Sequence, residues 1–181
     1  MQLSPEMESL VVHFGEMGSR WGFNRTVGQM VALIVFTEEA LNADQIAQAL
    51  GISRGNVSMG LKELQSWQLI RTHNVPGDRK DYFKPAGDIW TLATQVMLER
   101  KKREMDPTLS VLRGHLMADS VNFESHASQQ MADILNLLEL LSGWFDDMQK
   151  LSPEQLKTLL KLGSGVGKVL EMKDRVMPKS K

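Results

Sequence analysis

The chain has no cysteine among its 181 residues. Disulfides, thiolate metal sites and cysteine-based redox sensing are therefore excluded. No apolar run is long enough to span a membrane. The amino terminus also lacks the basic start and apolar core of a secretory leader, so a cytoplasmic protein with no membrane partner is expected. Metal-ligand spacing is missing as well. The four histidines, His13, His73, His115 and His126, have no supporting cluster. His115, Asp119 and His126 could converge, but solvent-facing histidines are the plainer reading. No serine sits in a nucleophile elbow. The glycine-rich GSGVG, Gly163 to Gly167, lacks the Lys-Ser/Thr ending of a phosphate loop and has no strand before it. It reads as small residues at a close helix contact, or as a fraying helix. With no catalytic constellation, neither enzyme activity nor a cofactor is expected.

Strong charge of one sign is also absent: the formal net charge is only −1. The chain as a whole is not a bulk polyanion binder. Its charge is unevenly spread, however. Met1 to Leu50 carries 2 basic and 6 acidic residues, whereas Gly51 to Met105 carries 10 basic and 6 acidic. A local basic surface is the electrostatic footprint of a nucleic-acid reader.

What the middle of the chain does contain is ADQIAQALGISRGNVSMGLKELQSWQLIR, Ala43 to Arg71. Asn42 can cap a first helix, with Gln45 in the reciprocal capping position. Ile46, Ala47, Ala49 and Leu50 supply its buried side. Gly51 can close it at positive φ, and Ser53 can cap a second helix. In that second helix Val57, Leu61 and Leu64 share one face, with Gly60 beside them. The opposite face, Gly55, Asn56, Ser58, Met59, Lys62, Glu63 and Ser66, is polar, with no acid in its first two turns. Asn and Ser can read base edges, and Lys and Arg can meet phosphate or guanine. An ordinary amphipathic surface helix would show the same periodicity. The short helix before it and the strand after it favour a DNA-reading unit.

Leu69 to Val75 and Asp81 to Pro85 have strand composition. Between them Pro76 to Lys80 (PGDRK) is a turn that exposes Arg79 and Lys80 at a hairpin tip. Arg79 could enter a narrow minor groove. Asp78 could brace that guanidinium or simply serve the turn. The order helix, helix, strand, basic hairpin, strand is that of a winged helix-turn-helix. On this reading Arg54, Asn56, Ser58, Met59 and Lys62 are the candidate DNA contacts, with Arg79 and Lys80 on the wing. Ser53 serves as both cap and phosphate contact.

The segment resembles the winged-helix domain of the MarR superfamily of transcription regulators. NRTVGQMVALIVF (Asn24 to Phe36), SRGNVSMGLKEL (Ser53 to Leu64), GDRKDYFKPAGDIW (Gly77 to Trp90) and REMDPTLSVL (Arg103 to Leu112) resemble its GbsR branch, over roughly Val11 to Leu116. The resemblance implies a repressor, and a response in some members to choline or related osmolytes. Aromatic faces bind quaternary ammonium groups by cation–π attraction. Trp21, Phe23, Trp67, Tyr82, Phe83, Trp90 and Trp144 are the available walls, with Trp67 and Phe83 better explained as core. No effector-binding residue is assigned.

The flanks are helical. Ser4-Pro5-Glu6 opens a helix in which Met7, Leu10, Phe14, Met17 and Trp21 follow a coiled-coil-like spacing. Val27, Met30, Val31, Ile34 and Val35 mark the next. Asp88 can cap a helix through Ile89, Leu92, Ala93 and Val96. It ends in ERKKRE (Glu99 to Glu104), which reads as a solvated charge run. Leu109, Leu112 and Leu116 follow. A longer helix over Phe123 to Gln149 carries a seam of Met131, Ile134, Leu138, Leu141, Phe145 and Met148. Leu135, Leu137, Leu140 and Trp144 widen it, which suits contact with two neighbours or with one neighbour and a partner subunit. Ser152 to Gln155 is a capping box opening a last helix with Leu156, Leu159, Leu160, Val166 and Leu170.

The expected architecture is mainly α with a small β-hairpin wing: a winged helix-turn-helix plus a helical dimerisation region. Residues 1–23 are expected as an N-terminal dimerisation helix, 24–98 as the DNA-binding domain and 99–181 as a C-terminal dimerisation region. The expected partners are double-stranded DNA, a second copy of the chain and a small organic ligand. A homodimer matches a pseudo-palindromic operator. An internal helical core in a monomer is the alternative for the flanks. A winged module that binds protein instead of DNA is the alternative for the function.

Overall fold

The computed structural model describes residues 3–117 and 126–176, with side chains described to residue 163 and at residue 165. Contacts divide the chain into two units, 1–99 and 100–181. The first unit holds α1 (Pro5–Arg20), α2 (Arg25–Phe36), β1 (Leu41–Asn42), α3 (Ala43–Leu50), α4 (Arg54–Ser66), β2 (Ile70–Asn74) and β3 (Asp81–Pro85). It also holds nearly all of α5 (Ile89–Arg100). The mainly helical, winged architecture expected from the sequence is the one observed.

Local chemistry sets the helix ends. Ser4 accepts from the Met7 N–H, and Asn24 accepts from the Thr26 N–H at 2.8 Å. The Asn42–Gln45 box is reciprocal, at 2.8 and 3.0 Å. Asp88 accepts from both the backbone and the hydroxyl of Thr91 at the start of α5. At the carboxyl ends, α1 and α3 turn through left-handed glycines, Gly22 and Gly51. The next residues, Phe23 and Ile52, donate back to Gly18 and Ala47. α4 ends in the same way, with Leu69 donating to Leu64 and Gln68 donating to Gln65, but Gln68 holds the left-handed position at φ 55°. This is the one place where the motif uses a residue that pays for its Cβ.

β3 lies between β1 and β2 in an antiparallel sheet. Thr72 faces Phe83, and Leu41 faces Phe83 from the other edge. Only the β2–β3 hairpin is evident from strand composition. β1 is two residues long, too short for any periodicity, and its Asn42 doubles as the α3 cap.

The core runs through α2, where Met30, Leu33 and Ile34 are fully enclosed, and gathers Val11, Leu41, Ile46, Val57, Leu64 and Trp67 around them. α1 packs on α2 through glycine. A Cβ added to Gly28 would lie 3.0 Å from the Phe14 carbonyl and 3.1 Å from the Gly15 Cα. This packing splits the seam expected on α1: Met7 and Phe14 pack against the core, half-buried. Val11, Gly15 and Gly18 face inward, while Leu10 and Trp21 are exposed. Small residues decide which side of the helix can approach, and a count of large apolar residues misses them.

The second unit contains a π-helical turn (Lys101–Met105), α6 (Asp106–Leu116), α7 (His126–Met148) and α8 (Pro153–Val176). α6 packs on α7, and Arg113 on α6 donates through two nitrogens to the Glu139 carboxylate of α7, at 2.7 and 2.9 Å. Lys101 corrects the reading of ERKKRE as a solvated run. Its side chain is largely buried and bridges Asp106 at 3.5 Å and Asp146 at 3.1 Å. Burial works against its charge, but hydrogen bonds and attraction to the two carboxylates prevail and raise its pKa.

On α7 the inward stripe is Met131, Leu135, Leu138, Phe145 and Met148, all half-buried. Ile134 and Leu141, assigned to the seam, are exposed instead beside Leu137, Leu140 and Trp144. The expected start of this helix at Phe123 lies outside the described residues, as do Asp119 and the side chains of Val166 and Leu170. GSGVG is helical backbone within α8. A Cβ on Gly163 or Gly165 would meet nothing within 4 Å, so the close-contact explanation does not hold at those two positions.

Candidate nucleic-acid interface

Positioning of α4 begins with Gly51, whose left-handed φ of 63° ends α3. Ser53 then caps α4 by accepting from the Asn56 N–H at 3.2 Å. Val57, Gly60, Leu61 and Leu64 are buried, which fixes the rotation of the helix. Ser53, Arg54, Asn56, Ser58, Met59 and Lys62 are consequently exposed. Met59 is 65 % exposed, an apolar side chain presented to solvent from a polar face.

The wing is built by a tight turn. The Asp78 N–H donates to the Val75 carbonyl at 3.1 Å across Pro76 and Gly77, with Gly77 at φ 85°. Pro followed by a positive-φ Gly is the requirement of a type II turn. Asp78 then accepts from the Lys80 N–H at 3.0 Å and from the Tyr82 hydroxyl at 2.8 Å. Those two bonds, the backbone one first, hold its carboxyl below the usual range. Asp78 is therefore a turn residue that organises the wing. Arg79 and Lys80 are exposed at the tip.

The candidate residues fall into two groups. Arg54, Ser58 and Lys62 of α4 line a groove of about 470 Å³ with Arg79 and Lys80 of the wing. Asn56 and Met59 turn to the other flank of α4. There they border a hollow of about 290 Å³ with Asn24 and Thr26 at the start of α2 and with Glu63.

Asp44, which the sequence reading passed over, sits in the first groove. One carboxylate oxygen lies 3.1 Å from the Arg54 guanidinium and the other 3.2 Å from the Lys80 ammonium. In sequence Asp44 reads only as an acid favouring a helix start. Nothing in the spacing links it to residues ten and thirty-six positions away. Gln65 also joins α4 to the wing, donating to Thr72 at 3.3 Å.

The aromatics divide differently from the expectation of a shared cavity. Phe23 and Trp67 meet in the core with ring centroids 4.1 Å apart and planes tilted by 39°, and Phe83 is buried. Trp21 and Trp144 are about half exposed. Among the described residues, no group of three or more histidine or acidic side chains could hold a metal ion. No described helix is long and apolar enough to cross a membrane.

Residues 21–81 match the family model of the MarR family. The match runs from the end of α1 through α4 to the wing tip, and so contains every candidate DNA contact. No curated protein matches the chain. Among solved structures, one described as a transcriptional regulator superposes with a TM-score of 0.63 at 22% identity, covering 80% of this chain and 95% of its own. That likeness shows a shared fold over most of the chain. A transcriptional regulator from Thermotoga maritima aligns at 16% identity over 81% of this chain and 94% of its own, with a TM-score of 0.39. A mutant S. aureus MepR bound to an oligodeoxyribonucleotide aligns at 21% identity over 75% of this chain and 90% of its own, with a TM-score of 0.33.

Proposed function

We propose that the chain is a sequence-specific DNA-binding transcription regulator of the GbsR-like MarR type, acting as a dimeric repressor. α4 enters the major groove and the wing meets the adjacent backbone or minor groove. The observation that carries this reading is the polar outer face of α4, opposed across one groove by Arg79 and Lys80. Arg54 and Lys62 are placed for guanine or phosphate, and Asn56 and Ser58 for base edges. Exposed Met59 suits a thymine methyl group, and Ser53 a phosphate. In this reading residues 24–98 read DNA, while 1–23 and 99–181 pair two copies. The exposed Leu10 and the outward apolar row of α7 support that pairing. Two reading heads then meet inverted half-sites whose centres lie about 10–10.5 bp apart or a multiple of that. A small cationic organic effector such as choline is part of the proposal, supported by the exposed indole of Trp21.

Selection of duplexes from a random pool, followed by titration at several salt concentrations, tests the reading. We expect an inverted-repeat preference. Asn56→Ala or Lys62→Ala should relax that preference, each at a cost of about 1–3 kcal/mol. Equal affinity for random and selected duplexes removes sequence-specific recognition. Binding to neither leaves a protein-interaction module.

A further inference from the structure

Three parts of the DNA-reading unit meet at one carboxylate: the first turn of α3 through Asp44, the first residue of α4 through Arg54, and the wing tip through Lys80. Both carboxylate oxygens are used. Both cations are otherwise exposed, at 70% for Arg54 and 53% for Lys80. The carboxylate therefore stands between two of the four cations that line the groove, where an incoming phosphate would compete with it. We propose that Asp44 is a specificity-setting residue of this face, an internal anion that occupies Arg54 and Lys80 against random DNA. The inference rests on the DNA-reading function proposed above.

Two physical effects act in opposite directions. Non-specific binding is almost entirely phosphate electrostatics, so an anion within the groove weakens it in full. Sequence-specific binding needs a guanidinium held in one orientation, because a planar fork pairs two acceptors only when aligned. Asp44 restricts Arg54 before DNA arrives, so part of the ordering cost is met in the free protein. The carboxylate thus lowers affinity for random duplexes more than for the matched one. Exposed ion pairs of this kind are individually weak, so a well-placed base or phosphate can displace the carboxylate. An ordinary surface ion pair would affect stability slightly and leave the ratio of specific to random binding alone.

The test uses the full chain, a random-sequence duplex and a duplex selected from a random pool by the wild-type protein. Asp44→Asn keeps the shape and removes the charge. We expect it to bind the random duplex about tenfold more tightly, as removal of one close like charge allows. The slope of log affinity against log salt should steepen by about one to two units as the two cations engage phosphate. The ratio of selected to random affinity should fall. Asp44→Glu, which retains the charge, should keep a slope near that of the wild type. Asp44→Ser provides a second charge-free variant with a helix-start acceptor, should the asparagine variant fold poorly. Unchanged random-duplex affinity and slope in a folded charge-free variant overturn the inference and leave the DNA-reading function intact. A wild-type protein that binds neither duplex overturns both.

Discussion

The two units spend their apolar residues differently. Among the described residues, every buried apolar side chain except Leu109 belongs to residues 1–99, although the longest helices, α7 and α8, lie in the second unit. In the first unit, helices cross at glycines and close around α2, so most large apolar side chains there are covered, with Leu10, Trp21 and Met59 among the exceptions. In the second, α7 carries an inward row around Leu138 and an outward row of Ile134, Leu137, Leu140, Leu141 and Trp144. A two-faced apolar helix needs two partners, and one of its faces is open. The first unit encloses a core beneath the groove of α4 and the wing, and the second presents an apolar surface of the kind two chains can share.

Core truncation probes this contrast most strongly. Leu33 is fully enclosed, and Leu33→Ala should cost about 2–5 kcal/mol by transfer and cavity terms together. Leu140 is 73% exposed, and Leu140→Ala should change the stability of the isolated chain far less. Chemical denaturation at a dilution where the protein is monomeric compares the two. Similar losses would mean that the second unit encloses its helices as the first does.

Association probes the same contrast from the other side. A carboxylate placed in an apolar contact is strongly unfavourable without a partner. Leu137→Glu with Leu140→Glu should leave the fold intact, shift the protein toward monomer, and cost at least about tenfold in operator affinity through lost avidity. Leu138 is half-buried within its own unit, so substitution there would confound folding with association. Sedimentation gives the answer. An unchanged dimer mass would move the interface away from this row, with exposed Leu10 on α1 the next surface to change.

How far these features could be read from the sequence depends on the range of the interaction. Caps and turns are local, and Ser4, Asn42, Gly51, Ser53 and Asp88 take the places their residue types favour. The buried and exposed faces of α4 follow from a 3.6-residue period. Features that need a third dimension were not legible. The close approach of Gly28 to Gly15 decides which side of α1 is buried, and β1 exists only because β3 offers it an edge. Lys101 and Asp44 each find partners from other elements, so a solvated run and a helix-start acid turn out to be junctions. On α7 both stripes have helical spacing, and only packing distinguishes the inward one from the outward.

A smaller effect concerns how α4 ends. The Gln68 backbone is left-handed, where an L side chain costs about 1 kcal/mol or more, while Gly22 and Gly51 make the same turn without that cost. Gln68→Gly should raise stability by about 0.5–1 kcal/mol, after allowing for the greater freedom of glycine in the unfolded chain. Thermal unfolding measures it. A loss of stability would show that the Gln68 side chain contributes more than its backbone costs, setting this helix end apart from the other two.

The smallest effect lies in the wing, whose tip depends on one exposed carboxylate instead of a packed core. The Asp78 carboxyl is held below its ordinary 3.8, first by the Lys80 N–H and then by the Tyr82 hydroxyl. A carboxyl with a depressed folded pKa contributes stability that is fully present above the unfolded value and is lost as pH falls through the folded value. The hairpin tip should therefore be insensitive to pH near neutrality and loosen only at pH below about 3.8. Tyr82→Phe removes the second of the two bonds and retains the first. The Asp78 titration followed by carboxyl-carbon NMR should then move upward toward its ordinary value without reaching it. The cores of α2 and α4, which this carboxylate does not support, should keep their amide protection across the same range. A Tyr82→Phe titration that overlays the wild type would place the effect in the turn, chiefly in the Lys80 N–H, making the turn and not the strand the element that steadies the wing.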